Sequence, residues 1–178
     1  LDKVDILLDR VDLKGKIHEK DLVAVKLHFG EKGNTAFVRP IFLRRVVDRV
    51  KQYKGKPFLT DTNTLYIGNR SEAVSHLTTA FENGFTVSVV NAPILIADGL
   101  RGNSAMKVRI DKPIFKTVSI AHEIYMTDAL ITVTHFKGHE LSGFGGALKN
   151  LGMGCASREG KLSQHSTISP QVDRKACK

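Results

Sequence analysis

His135, Lys137, His139, Lys149, Asn150 and Cys155 fall within one stretch, HFKGHELSGFGGALKNLGMGCASREGK, that runs from His135 to Lys161. Imidazole, amine, amide and thiol groups gathered this closely could hold an anion or a metal ion, or move protons. Glycine at Gly143, Gly145 and Gly146 lets the backbone approach a ligand, and successive exposed N–H groups there could nest an anion. Ala147 to Leu151 is predicted to open a helix whose N-terminus adds partial positive charge at the same spot. The spacing lacks the full phosphate-loop pattern and the hydroxyl residue that follows its lysine, so it does not specify a nucleotide phosphate loop. A purely structural glycine-rich turn is the competing reading.

Those groups need elements to position them. Ala129 to Thr134 is a β-branched run that reads as a buried strand, so the glycine-rich stretch begins where a strand ends. Two further predicted strands also end in polar residues: Leu22 to Leu27 at His28, and Phe58 to Thr60 at Asp61, which leads into the polar string from Thr62 through Asn63 to Tyr66. In a parallel sheet all three ends lie on the carboxyl edge, where ligands bind. His28, Asp61, His135 and His139 are therefore the candidate catalytic residues, as bases, proton carriers or ligands. Asn63, Gly143, Gly145, Gly146, Lys149 and Asn150 are the candidate ligand-binding residues, with Lys137 a further cation for a carboxylate or phosphate.

A metal ion in the crevice is a second expectation, with His28, His135, His139 and Cys155 as its ligands. His135 and His139 are four apart, which favours a shared metal only on a helix, and Gly138 argues for a loop. Cys155, close to Arg158, is read either as a thiol with a lowered pKa or as a buried inert one. His165 either reaches the crevice or begins a departing arm.

The remaining pattern supplies a scaffold. Helices are predicted from Leu1 to about Val11, from Pro40 to about Tyr53 and from Ser71 to about Asn83, with Gly84 as a stop. Further strands are expected over Thr86 to Val90 and Ala92 to Ala97. Lys107 to Ile110 and Phe115 to Val118 read as a hairpin excursion, followed by a short helix from Ser119 to about Met126. The class is α/β: a mostly parallel sheet with helices on both faces plus a small hairpin excursion. Residues 1–160 form one domain and 161–178 an arm, periodicity having faded beyond Gly152.

At 178 residues, 42% hydrophobic and 25% charged, the composition is that of a soluble globular domain. No apolar run is long enough to cross a membrane. Two cysteines, Cys155 and Cys177, are too few for a disulfide framework, which favours the cytoplasm. The net charge of +9 raises the prospect of an acidic partner. Basic residues cluster on the second helix, at Arg44, Arg45 and Arg49, and near the C-terminus. Aromatic residues rarely accompany them, so nucleic acid is an unlikely partner. The chain starts without Met and stops at Ala176-Cys177-Lys178, and a piece of a longer protein is expected.

VAVKLHFGEKGNTAFVRP, PFLTDTNTLYIGNR, PILIADGLRG and HFKGHELSGFGGALKNLGMGCASREGKLSQH together resemble the uncharacterised iron–sulfur centre proteins, a bacterial and archaeal family whose main domain has no known function. The resemblance extends over nearly the whole chain. It implies that the segment after His165 leads into a ferredoxin-type module, with Cys177 the first cluster cysteine, and that the full-length protein carries 4Fe-4S clusters. This chain's two cysteines cannot hold such a cluster alone.

The expected function is a redox-linked domain that binds a metal or a small anionic ligand in a strand-end crevice, with turnover uncertain. Its partner would be its own ferredoxin-type module or another acidic electron carrier, docked on the basic helix or arm. The alternative is a non-enzymatic binding or assembly module whose basic surface holds nucleic acid or an acidic protein.

Overall fold

The protein, seen in a computed structural model, is described over residues 1–140 and 143–166. Elements alternate along the chain: α1 (Asp2–Arg10), α2 (Leu13–Lys16), β1 (Leu22–Lys26), α3 (Pro40–Gln52), β2 (Lys56–Asp61), α4 (Ala73–Glu82), α5 (Val87–Val90) and β3 (Ile94–Ile96). Then follow β4 (Ala105–Arg109), β5 (Thr117–Ala121), α6 (His122–Tyr125), β6 (Ala129–Thr132), β7 (Lys137–His139), β8 (Gly143–Gly145), α7 (Ala147–Gly152) and α8 (Arg158–His165). Four strands make a parallel sheet in the order β3-β2-β1-β6, and β4-β5 and β7-β8 are antiparallel hairpins.

Register explains the layers. Val23, Val25 and Leu27 alternate with Ala24, Lys26 and His28, so β1 presents an apolar face and a mixed one. Val25 pairs with Leu59 of β2 and Ile131 of β6, placing all three on the apolar face. That face meets Leu8 of α1, Leu43, Val46, Val47 and Val50 of α3, Ala80 of α4 and Val90 of α5 in one buried cluster. Each fully buried aliphatic side chain contributes about 1.5–3 kcal/mol. The steps from β1 to β2 and β2 to β3 run the same way along the sheet, and right-handed crossovers then place α3, α4 and α5 on one side. The return from β3 to β6 passes through the β4-β5 hairpin and α6. A smaller cluster of Ala97, Ala121, Ile124 and Cys155 joins that return to the segment after α7. α7 itself packs on β6, so helices flank the sheet as expected.

Several local expectations are corrected. Thr86 to Val90 is not a strand: Val87–Val90 forms a helical turn closed by Asn91 in the left-handed region. There the packing of Val90 into the core outweighs the β-branched composition. β5 continues to Ala121, shortening the helix expected from Ser119 to His122–Tyr125. Part of the glycine-rich stretch is the β7-β8 hairpin, with Gly143 at φ +74. Ala156 onward is not an arm throughout, because α8 crosses the expected boundary at residue 160. Ser157 caps α8 by accepting from Gly160 N–H, and Lys161 is buried against the domain. Arg174, Lys175, Cys177 and Lys178 lie outside the described residues.

The basic helix is also more neutral than its sequence suggests. Arg45 Nε lies 2.8 Å from Asp5 of α1, Arg49 pairs with Asp5 and Asp9, and Arg44 faces Asp48. The three arginines nominated for an acidic partner are thus engaged within the chain. Among the described residues no helix is long and apolar enough to cross a membrane.

Candidate functional site

The chain steps outward from β1 to β2 and β3, then returns to the far side of β1 for β6. The connections therefore diverge between β1 and β6, and a parallel sheet opens a crevice beyond the strand ends at such a point. A crevice of about 430 Å³ lies there. It is lined by His28 after β1, Asp61 and Thr62 at β2, and Thr134 and His135 after β6. Lys137 and His139 of β7, Gly146, Lys149 and Asn150 at α7, and Lys161 and His165 of α8 complete its polar wall. Ala36, Phe37, Leu65 and Met153 add apolar surface.

Beneath the crevice is a buried polar network centred on Lys26 and Asp61. Lys26 is 1% exposed and donates through Nζ to Asn150 Oδ1 (2.7 Å) and the Leu27 carbonyl (2.9 Å), with Asp61 Oδ1 at 2.8 Å. Asp61 also accepts from Thr62 N–H at 2.8 Å, while Arg70 Nη1 and His76 Nε2 approach its other oxygen at 3.4 and 3.5 Å. Burial pushes the Asp61 pKa up, but Lys26, His76 and Arg70 together outweigh it and hold the carboxyl well below its ordinary value. An ionised carboxylate so fully paired is a poor proton acceptor, so the geometry gives Asp61 the role of an anchor.

Arg70 extends the network to the rim. Its Nε donates to Glu31 Oε1 at 3.0 Å and Nη2 to the Tyr66 hydroxyl at 2.8 Å, tying the loop after β1 to the loop after β2. Lys161 is buried and donates to Thr62 Oγ1, the Asn63 carbonyl (2.7 Å) and the Ala156 carbonyl (3.0 Å). Burial lowers its pKa to about 8.

His28 has a different environment. Its Nδ1 accepts from Gly30 N–H at 2.9 Å. Burial, reinforced by Arg70 and Lys137 against the opposing Asp61 and Glu31, lowers its pKa to about 4, so the ring is neutral at pH 7. Across the crevice Lys149 is hydrogen-bonded to His139 Nε2, and burial together with the nearby Lys137 lowers the Lys149 pKa.

Of the residues nominated from sequence, His28, Asp61, His135, His139, Gly146, Lys149 and Asn150 converge on the crevice. His165 reaches it as well, from the end of α8. Asn150 turns inward: besides accepting from Lys26 it donates to Thr134 Oγ1 at 2.9 Å, so it positions rather than cradles. Asn63 is wholly buried away from the crevice, its N–H and amide donating to Asp98. Gly143 and Gly145 shape the β7-β8 hairpin without lining the crevice.

Cys155 is buried and also outside the crevice lining, and burial raises its thiol pKa, which corrects the activated-thiol reading. Among the described residues, no group of three or more His, Cys, Asp and Glu side chains could hold a metal ion.

Lys26, Arg70, His76 and Lys161 were missed. Lys26 did carry a signal, being the only charge inside the apolar run LVAVKL. The other three are brought to the β2 end only by tertiary packing.

The fold is an open parallel α/β sheet with a crevice lined by basic residues at its point of divergence. Residues 23–175 match the family model described as Domain of unknown function (DUF362), and the chain belongs to that family. No curated protein and no solved structure matches the chain. The family description assigns no activity, so the iron–sulfur expectation rests on the sequence resemblance alone.

Proposed function

We propose that this domain binds a small oxyanion-bearing molecule, a carboxylate or phosphate, in the crevice between the ends of β1 and β6. The observation that carries this reading is the charge of the lining. Among the described lining residues the one carboxylate, Asp61, is paired with Lys26 and Arg70, which leaves Lys137, Lys149 and Lys161 as cations without a carboxylate in the lining. Lys137 lies close enough to Lys149 to lower its pKa, and an anion between them would relieve that repulsion. Phe37, Leu65 and Met153 would receive an apolar body attached to the acidic head.

The test is calorimetric titration with inorganic phosphate and, separately, benzoate at low ionic strength. Lys149→Ala is expected to weaken binding about tenfold, the worth of a charge-assisted hydrogen bond, with an unchanged circular dichroism spectrum. Unchanged affinity would remove Lys149 from the site, and no binding of either probe would sink the reading.

The finer proposal is that this crevice is coupled to electron transfer through a ferredoxin-type module in the full-length protein, with Cys177 the first ligand of a 4Fe-4S cluster. Its support is the sequence resemblance. Iron and sulfide analysis of anaerobically purified full-length protein tests it; a cluster that persists after Cys177→Ser would exclude that cysteine.

A further inference from the structure

His28 closes the β1 side of the crevice, and its ring is oriented by its own backbone. Gly30 N–H points at Nδ1 from 2.9 Å, so Nδ1 must offer a lone pair. A proton there would set two N–H groups against each other. The neutral ring therefore carries its proton on Nε2. Among the described residues Nε2 has no hydrogen-bond partner, nor does it count among the buried polar atoms left unsatisfied. His28 lines the crevice, so this donor is available to an occupant.

The surroundings agree with that tautomer. Burial above all, and then Arg70 and Lys137 against the opposing Asp61 and Glu31, disfavours a positive charge on the ring. A metal-bound histidine normally donates its second ring N–H to a carbonyl or carboxylate. Here the second nitrogen accepts from a backbone amide, which is the reverse arrangement. Gly30, at φ +89, makes the turn that brings its amide back to the ring, and a Cβ at that position would lie 2.4 Å from Phe37.

We propose that His28 is a fixed neutral hydrogen-bond donor whose Nε2–H contacts an oxygen of the anionic ligand, and that it does not ligate a metal. The inference rests on the anion-binding reading of the crevice. Lysines supply the charge, while His28 supplies direction, selecting an occupant that places an acceptor oxygen beside β1. A neutral donor does this without adding to the repulsion among the cations already present.

Long-range proton–nitrogen correlation spectra of the nitrogen-15-labelled protein at pH 7 read the tautomer directly, with His28→Gln assigning the signal. The expected pattern is a neutral ring protonated at Nε2, shifted by inorganic phosphate or benzoate and unchanged by zinc ions. His28→Phe should weaken binding of the responding probe about tenfold, and His28→Gln, which keeps an N–H donor, by no more than about threefold. An Nδ1-protonated or imidazolium pattern overturns the proposal, as does zinc moving the proton to Nδ1. Unaltered affinity in His28→Phe, with Lys149 still responding to the probe, removes His28 alone. Silence of every crevice residue to both probes defeats the anion-binding reading and this role with it, whatever the tautomer.

Discussion

Lys26 Nζ and Asp61 Oδ1 lie 2.8 Å apart, an ion pair that joins neighbouring parallel strands beneath the crevice floor. Both side chains are almost wholly buried, and taking two charges out of water is costly. The cost is met because every polar atom of the pair finds more than one partner: Asn150 and the Leu27 carbonyl for the lysine, Thr62 N–H and Arg70 for the carboxylate.

Lys26→Met would leave Asp61 with a buried charge short of its closest partner. Loss of about 3–5 kcal/mol in urea unfolding is expected. A loss below about 1 kcal/mol would show that Arg70 and His76 suffice to hold the carboxylate.

His28 also makes stability depend on pH. The folded ring stays neutral down to about pH 4, whereas the unfolded imidazole takes up a proton below about pH 6.5. Between those values the unfolded chain binds more protons, so stability falls as the pH drops and levels off below about 4. The full effect is up to about 3 kcal/mol. His28→Gln should flatten that slope. Asp61 acts in a separate range: its contribution is complete above the ordinary carboxylate value and is lost only as pH falls through its depressed folded value.

Gly154 is a position of forced close approach. A Cβ there would lie 2.1 Å from the Asn150 carbonyl and 2.7 Å from Lys26 Nζ. Gly154→Ala should cost about 1–3 kcal/mol and lower the thermal midpoint. Gly152, whose Cβ would meet nothing within 4 Å, provides the control, and a Gly154→Ala protein as stable as Gly152→Ala would contradict the packing.

Cys155 should resist alkylation. Its thiol is buried and its pKa raised by that burial, so iodoacetamide at pH 7.5 should label it far more slowly in native protein than in urea. Peptide mapping separates it from Cys177. Rapid native labelling would restore the activated-thiol reading.

The scaffold was legible because alternation and helical spacing report which faces are buried. Val23, Val25 and Leu27 announced β1, and Leu43, Val46, Val47 and Val50 announced α3. The crevice was legible in part, since His28, Asp61 and His135 each follow a recognisable strand. The roles of individual residues were less so. Whether Asp61 is a base or an anchor depends on Lys26, Arg70 and His76, and a single sequence carries no pattern that pairs them. Helix α8 escaped notice because its buried contacts come from Gly160 and the long Lys161 side chain rather than from an apolar stripe.

The pairing of Asp5 and Asp9 with Arg45 and Arg49 also bears on how the proposed anion would arrive. Those contacts quench positive potential on α3, away from the strand ends, while Lys137, Lys149 and Lys161 add positive charge at the crevice beyond the pairs that Lys26 and Arg70 make with Asp61. Field lines are thereby focused at the mouth, so encounter should be steered there, and the association rate should decline as ionic strength rises. Reversing Asp5 and Asp9 to lysine would create a competing attractor on α3 and slow productive capture without altering any crevice contact.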